Sequence, residues 1–250
     1  MKKTLPQAPV LADVDVALLA GGLGTRIRDA LGGLPKILAP LGDETLLDSQ
    51  LSWLIGWGAR RIVLCLGFRH QAVIDHLGRE RSGGATLLPS VEPHPLGTAG
   101  AIDLARVHLT RDTVLVMNGD TMLDGDLGGF VEAHQSSGAA CSILCVFVED
   151  AACYGGVIVS ADGAVTGFEE KGREGAGMVN AGAYLMNRSF LDSWIQPGEG
   201  SLERDVLPRA LSDSVRAYVG DFRFLDIGTP ESLARARLGR GNFVAVPGLV

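Results

Sequence analysis

The sequence predicts an α/β fold, a mostly parallel sheet flanked by helices and followed by a smaller lobe of mixed or antiparallel strands. Short apolar runs of strand length alternate with helical stretches between residues 14 and 118, the rhythm of βαβ units. From residue 139 onward strand-like runs follow one another with few helical patterns between them. The chain has 250 residues, 46% of them hydrophobic, enough to form one large core.

Residues 14–20 (Val-Asp-Val-Ala-Leu-Leu-Ala) read as a buried parallel strand. A helix is expected over 46–57, where Leu47, Leu51, Leu54 and Ile55 form one apolar stripe that ends near Gly58. Strand 61–67, helix 71–77, strand 85–88, helix 98–107 and strand 113–118 continue the alternation. Strands at 143–148, 156–160, 165–169 and 178–186 follow, and Ala161-Asp162-Gly163 closes the middle pair as a hairpin. Residues 201–211 read as helical, and 215–219 and 222–227 as strands. Thr229-Pro230-Glu231 then opens a last helix with a capping threonine and a proline at its first position. There are no internal repeats, low-complexity tracts or hexapeptide β-helix coils.

Lys and Arg number 22 against 29 Asp and Glu, a formal net charge of −7, so no basic excess exists to neutralise a nucleic-acid backbone. No apolar run has the length of a membrane span, which argues against a membrane partner. Lys2 and Lys3 are followed by Pro6, Gln7 and Pro9, which break any leader-peptide core, so the expected location is cytoplasmic. Cys65, Cys141, Cys145 and Cys153 show neither C-x-x-C spacing nor a paired histidine cluster, which argues against zinc and disulfide frameworks alike. Cys65, Cys141 and Cys145 lie in strand-like runs and are expected to be small buried hydrophobes.

The first strand runs into Gly21-Gly22-Leu23-Gly24-Thr25-Arg26. Its glycines lack the Cβ atoms that would keep backbone N–H groups away from phosphate oxygens, and Arg26 and Lys36 supply charge. Neither the Walker loop nor the dinucleotide fingerprint has this spacing. The pattern resembles the signature of the sugar-1-phosphate nucleotidyltransferases, G-G-x-G-T-R-L followed by P-K-x-L-x-P. Here it stands as Gly21 to Ile27 and Pro35 to Pro40, with only Ile27 departing. The resemblance runs from about residue 15 to 234. It implies the Rossmann-like nucleotide-diphospho-sugar transferase fold in one domain, with a nucleotide-binding half over about 13–137, a sugar-phosphate-binding half over about 138–238 and no C-terminal β-helix. Pro95-Leu96-Gly97-Thr98 and Ser201-Leu202-Glu203-Arg204-Asp205-Val206-Leu207-Pro208 are most similar to the short heptose-1-phosphate guanylyltransferases.

Such a transfer needs positioning and a divalent cation more than a general base, because the attacking phosphate oxygen is already ionised. Asn118-Gly119-Asp120 ends one strand and Phe224-Leu225-Asp226-Ile227-Gly228-Thr229 another. The resemblance implies Asp120 and Asp226 as ligands of Mg2+, with Mn2+ as a substitute, and Arg26 and Lys36 as the catalytic cations. For the nucleotide it implies Leu19, Ala20, Gly21, Gly22, Gly24, Thr25, Glu92, Gly97 and Thr98, with Gly97 lying against the base. Thymidylyl- and uridylyltransferases commonly carry glutamine where this chain has Glu92. A carboxylate only accepts, which suits the adjacent N1–H and N2–H2 donors of guanine and repels the carbonyls of uracil or thymine. The sugar-phosphate cradle is implied at Gly155, Glu170, Lys171 and Asn180, with Gly172 standing where the family usually has proline.

The expected partners are therefore GTP and a sugar 1-phosphate, D-glycero-D-manno-heptose 1-phosphate in particular, joined to give a GDP-sugar and pyrophosphate. A thymidylyl-, cytidylyl- or mannose-1-phosphate guanylyltransferase and a non-catalytic nucleotide-sugar sensor on the same fold stay open as alternatives. The oligomeric state also stays open, a homo-oligomer among the outcomes.

Overall fold

The computed structural model describes residues 9–78, 84–172 and 174–238. Strand β1 (Val14–Ala20) is followed by a small hairpin, β2 (Pro40–Leu41) with β3 (Glu44–Thr45), and by helix α1 (Leu46–Gly56). Thr45 caps α1 by accepting from the Asp48 N–H at 3.2 Å, while the Asp48 carboxylate accepts from the Thr45 N–H at 2.8 Å, a reciprocal capping box. Then come β4 (Arg61–Leu66), α2 (His70–Leu77), β5 (Thr86–Val91), α3 (Gly97–Ala105) and β6 (Thr113–Asn118). Strands β5, β4, β1 and β6 lie side by side, all parallel, with Val16 opposite Ile62 and Leu115.

The parallel strands are apolar along their whole length because both faces are covered. Val16, Leu18, Ile62, Leu64, Leu115 and Met117 face one core layer, while Ala17, Val63, Cys65, Val114 and Val116 face the other. As expected, Cys65, Cys141 and Cys145 are buried, and burial pushes the Cys65 and Cys145 thiols up to about 12.

After β6 the chain forms β7 (Thr121–Gly125), α4 (Leu127–Ser137), β8 (Cys141–Val148), β9 (Gly156–Val159), β10 (Val165–Glu169), β11 (Gly177–Asn187), α5 (Arg188–Trp194), β12 (Val215–Val219), β13 (Phe222–Asp226) and α6 (Pro230–Arg237). The antiparallel strands extend the main sheet, since β11 pairs antiparallel with β6 along Ala183 to Asn187 and with β8 on its other edge. Among the described residues the sheet thus holds nine strands. The β9–β10 hairpin turns at Gly163, whose φ of +85° favours glycine, as the Ala161-Asp162-Gly163 pattern predicts. Thr229 caps α6 with Pro230 at its first position, also as predicted.

The structure departs from the sequence reading at several elements: β2, β3, β7, α4 and α5 were not expected, and the helix over 201–211 does not form. Residues 201–211 hold only a short π-helical turn, Leu202–Val206, and a 3-10 turn, Leu211–Asp213, because Pro208 has no N–H with which to continue a helical ladder. Helix α4 is invisible in the pattern, since Gly128 and Gly129 weaken its first turn; Asp126 at its N-terminus and Gly138 at its C-terminus, with φ of +64°, cap it instead. The N-terminal segment read as lacking a leader core lies, over residues 1–8, outside the described residues.

His134 ties α4 to the sheet. Its Nε2 lies 3.0 Å from Asn187 Oδ1 and its Nδ1 2.8 Å from Ser142 Oγ. The Asn187 Nδ2 group donates to the Ala139 carbonyl, so Oδ1 faces the ring and Nε2 carries the proton. Burial lowers the His134 pKa, partly offset by the Asn187 hydrogen bond. The unfolded chain therefore binds this proton more tightly, and the stability contributed by neutral His134 is complete above an unfolded pKa of about 6.5 and lost as pH falls. Lowering the pH from 7.5 to 5 should depress the wild-type melting temperature more than that of His134→Gln; equal losses by calorimetry would contradict this.

Candidate active site

The carboxyl ends of β1, β4, β5 and β6 open onto a cavity of about 400 Å³. Leu19, Ala20, Gly21, Gly22, Gly24 and Thr25 form one wall and Glu92, Gly97 and Thr98 another. Gly24 has φ of +57°, and a Cβ there would lie 3.3 Å from Lys36 Cβ, so a side chain would both strain the turn and crowd the lysine. Gly119 donates its N–H to the Leu19 carbonyl at 2.8 Å, an approach that a Cβ 2.5 Å from that oxygen would forbid. Gly97 has φ of +74°, and a Cβ there would sit 2.4 Å from the Gly200 carbonyl. The docking of Gly200 on the start of α3 therefore requires glycine at 97 whatever the ligand.

Glu92 is embedded in this wall. Its Oε2 accepts from the Leu96 N–H at 3.0 Å, and a Cβ on Gly21 or Gly67 would lie 2.6 or 2.0 Å from its Oε1. Both glycines make room for the carboxylate, which keeps lone pairs free beyond the one given to Leu96.

A second cavity, of about 800 Å³, is lined by Gly155, Glu170, Lys171 and Asn180. Arg26, Lys36, Asn118 and Asp120 border both cavities. At this junction β13 pairs antiparallel with β7, placing Asp226 opposite Thr121, and the Ile227 N–H donates to the Asp120 carbonyl at 2.9 Å. That register brings together two carboxylates 106 residues apart. Lys36, set by a buried 3-10 turn, reaches between them, with Nζ 2.7 Å from Asp120 Oδ2 and 3.7 Å from Asp226 Oδ1.

Asp226 is the strained member of the group. Burial, then the Asp120 charge, raise its pKa, against the lowering pull of Lys36, Lys171 and Arg26. Its Oδ1 is buried with no hydrogen-bond partner. An orphaned carboxylate oxygen beside a second carboxylate fits a divalent cation, and two protein ligands leave room for water and phosphate oxygens, as Mg2+ prefers. Asp120 and Asp226 are the residues that could hold it.

Four residues to which sequence reasoning assigned no role complete the site, Asn118 and Glu203 figuring there only within longer motifs. Asn118 borders both cavities with Oδ1 buried and unpartnered, and Gly182, at φ of +70°, leaves space for its amide. Gln50, buried on α1, donates from Nε2 to the Thr121 carbonyl at 2.8 Å and to that of Asn118 at 3.3 Å, bracing the turn that carries Asp120. A glutamine among Leu47, Leu51 and Leu54 on one helix face was its available signal. Tyr184 and Glu203 line the second cavity and are bonded to each other at 3.1 Å.

The protein-family model for "Nucleotidyl transferase" matches residues 16–240. The chain belongs to the nucleotidyl transferase family. This nucleotidyl transferase is 31% identical over 225 residues to D-glycero-alpha-D-manno-heptose 1-phosphate guanylyltransferase of Aneurinibacillus thermoaerophilus, covering 90% of this chain and 97% of the relative. It is 32% identical over 234 residues to mannose-1-phosphate guanylyltransferase of Mycobacterium tuberculosis, covering 91% of this chain but 65% of that protein. Among solved structures, HddC from Yersinia pseudotuberculosis in complex with GMP-PN superimposes with a TM-score of 0.82 at 31% identity, covering 90% of this chain and 98% of that one. The nucleotidyl transferase is thus an α/β protein of the nucleotide-diphospho-sugar transferase fold. No helix among the described residues is long and apolar enough to cross a membrane.

A raised Asp226 pKa means that its charged form opposes folding near neutral pH. Asp226→Asn should therefore raise the melting temperature in excess chelator, by roughly 2–4 °C for each 1 kcal/mol of strain relieved. It should also abolish any further stabilisation by millimolar Mg2+. A lower melting temperature in chelator, or an undiminished Mg2+ effect, would contradict this reading.

Proposed function

We propose that this nucleotidyl transferase joins GTP to a sugar 1-phosphate, D-glycero-D-manno-heptose 1-phosphate being the favoured substrate, to give a GDP-sugar and pyrophosphate. The observation that carries the proposal is the meeting of two cavities at Arg26, Lys36, Asn118 and Asp120. The glycine turn and base wall of the first suit a nucleoside triphosphate, and the cradle of the second suits a sugar phosphate. The residues over 13–137 then serve the nucleotide and those over 138–238 the sugar phosphate.

The sugar-phosphate oxygen attacks the α-phosphorus of GTP in line, forming the new P–O bond as the bond to the β-phosphate oxygen breaks and pyrophosphate leaves with the electron pair. No proton has to be removed from the nucleophile, so positioning and charge carry the catalysis. Glycine-turn N–H groups hold the triphosphate, Arg26 and Lys36 offset charge on the phosphates, and Lys171 meets the phosphate of the incoming sugar. A Mg2+ or Mn2+ ion held by Asp120 and Asp226 would supply Lewis-acid neutralisation of the α-phosphate. A cell compartment that maintains GTP, the cytoplasm, suits this activity.

Guanine selection rests on Glu92, whose acceptor-only carboxylate faces the first cavity with lone pairs to spare. A second reading, mannose 1-phosphate as the sugar substrate, is favoured by the 32% identity to the mannose-1-phosphate guanylyltransferase. Pyrophosphate release across GTP, dTTP, UTP and CTP, each with heptose or mannose 1-phosphate, tests both. GTP with heptose 1-phosphate should give the highest kcat/KM, and a preference for any other nucleotide would refute guanine selection.

Lys36→Ala should lower kcat by about 10²–10³-fold, the scale of losing one contact to developing phosphate charge. Near-normal turnover would remove Lys36 from the machinery. Glu92→Gln should lower the GTP:dTTP ratio of kcat/KM by roughly 10–100-fold, since an amide loses one guanine donor contact and gains a match to the pyrimidine edge. An unchanged ratio would return Glu92 to a bracing role at Leu96 alone.

A further inference from the structure

Glu203 lines the second cavity, and its carboxylate accepts from three hydroxyls, one of them on a residue that lines the first. Thr98 Oγ1 and Ser201 Oγ donate to Oε2 at 3.0 and 3.1 Å, and Tyr184 OH donates to Oε1 at 3.1 Å. Thr98 begins α3 in the wall of the first cavity, whereas Tyr184 is fully buried in β11 beneath the second.

The proton order along this chain is forced from both ends. The Gly182 N–H, which can only donate, gives to Asn180 Oδ1 at 2.9 Å, so the nitrogen end of that amide faces Tyr184 and donates to its hydroxyl at 2.8 Å. Tyr184 accepts there and sends its own proton to Glu203. From the other side the Leu202 N–H donates to Thr98 Oγ1 at 2.7 Å, so Thr98 likewise sends its proton to Glu203. Burial and the Glu203 charge push the Tyr184 phenol well above its usual range, keeping it a donor. An ionised carboxylate, with acceptors only, satisfies every arm. A glutamine could not, because its NH2 end would face either Tyr184 or the Thr98–Ser201 pair and leave a hydroxyl proton without an acceptor.

We propose that Glu203 is a positioning residue for the sugar 1-phosphate, acting through Tyr184 to hold the Asn180 amide with one N–H committed inward and the other free for the second cavity. The sugar ring must then offer an acceptor oxygen, not a donor, to Asn180. The proposal rests on the second cavity being the sugar-phosphate site, and it adds to that reading a residue that need not touch the substrate.

The test compares Tyr184→Phe, Glu203→Gln and the double variant, using GTP with heptose 1-phosphate and mannose 1-phosphate. Tyr184→Phe keeps the buried ring and the Thr98 arm while removing the link to Asn180. Each single variant should raise KM for the sugar 1-phosphate by roughly ten-fold, the scale of one lost buried hydrogen bond. In Tyr184→Phe the dissociation constant for GTP should stay within about two-fold of wild type. Because one chain is being cut twice, the double variant should be no worse than the worse single variant. Unchanged sugar KM in both single variants of an active enzyme, multiplicative losses, or a parallel loss of GTP affinity in Tyr184→Phe would overturn the proposal. A wild type that turns over neither sugar phosphate with GTP would instead refute the proposed function beneath it.

Discussion

The pairing of β13 with β7 forces two like charges, Asp120 and Asp226, against one lysine, and the geometry of the junction follows from that constraint. Burial, and after it the Asp120 charge, raise the Asp226 pKa, so the two carboxylates sit together at a cost. Lys36 relieves part of this, but one Asp226 oxygen keeps no hydrogen-bond partner. A folded chain does not normally retain such an arrangement for its stability. It makes sense where a cation and phosphate oxygens complete the charge balance, so the residues that oppose folding are those that the proposed chemistry needs.

Placing that charge group required the surrounding backbone to close up. Gly119 against the Leu19 carbonyl, Gly182 against the Asn118 amide and Gly24 against Lys36 are contacts at which a Cβ would crowd its neighbour. Gln50 braces the same turn from beneath. The parallel strands supply rigid ends for these turns because both of their faces are packed. The turns that carry Arg26 and Asp120 each border both cavities, so the charge group lies at their junction.

Much of this was legible in the sequence where the signal is local. The apolar run of β1, the glycine turn after it, the stripe of α1 and the capping threonine and proline of α6 each depend on neighbours within a few residues. Asp120 and Asp226 could be named as a pair only through resemblance, because their proximity depends on the β13–β7 register, which no local pattern encodes. Glu203 stood within the motif over 201–208 without a role and Tyr184 went unnamed for the same reason, since the partners that give them a role lie on different elements. Helix α4 was lost to its own Gly128-Gly129 pair, and the helix expected over 201–211 failed at Pro208.

The proposed reaction is a direct displacement at the α-phosphorus across the junction of the two cavities, with no covalent nucleotidyl-enzyme. The stereochemical course tests it most directly. GTP carrying sulfur in place of one α-oxygen, in a single configuration at phosphorus, would be converted with the sugar 1-phosphate, and the configuration of the GDP-sugar read by phosphorus NMR. One in-line attack predicts inversion; retention would mean two successive displacements through an enzyme side chain and would contradict direct transfer.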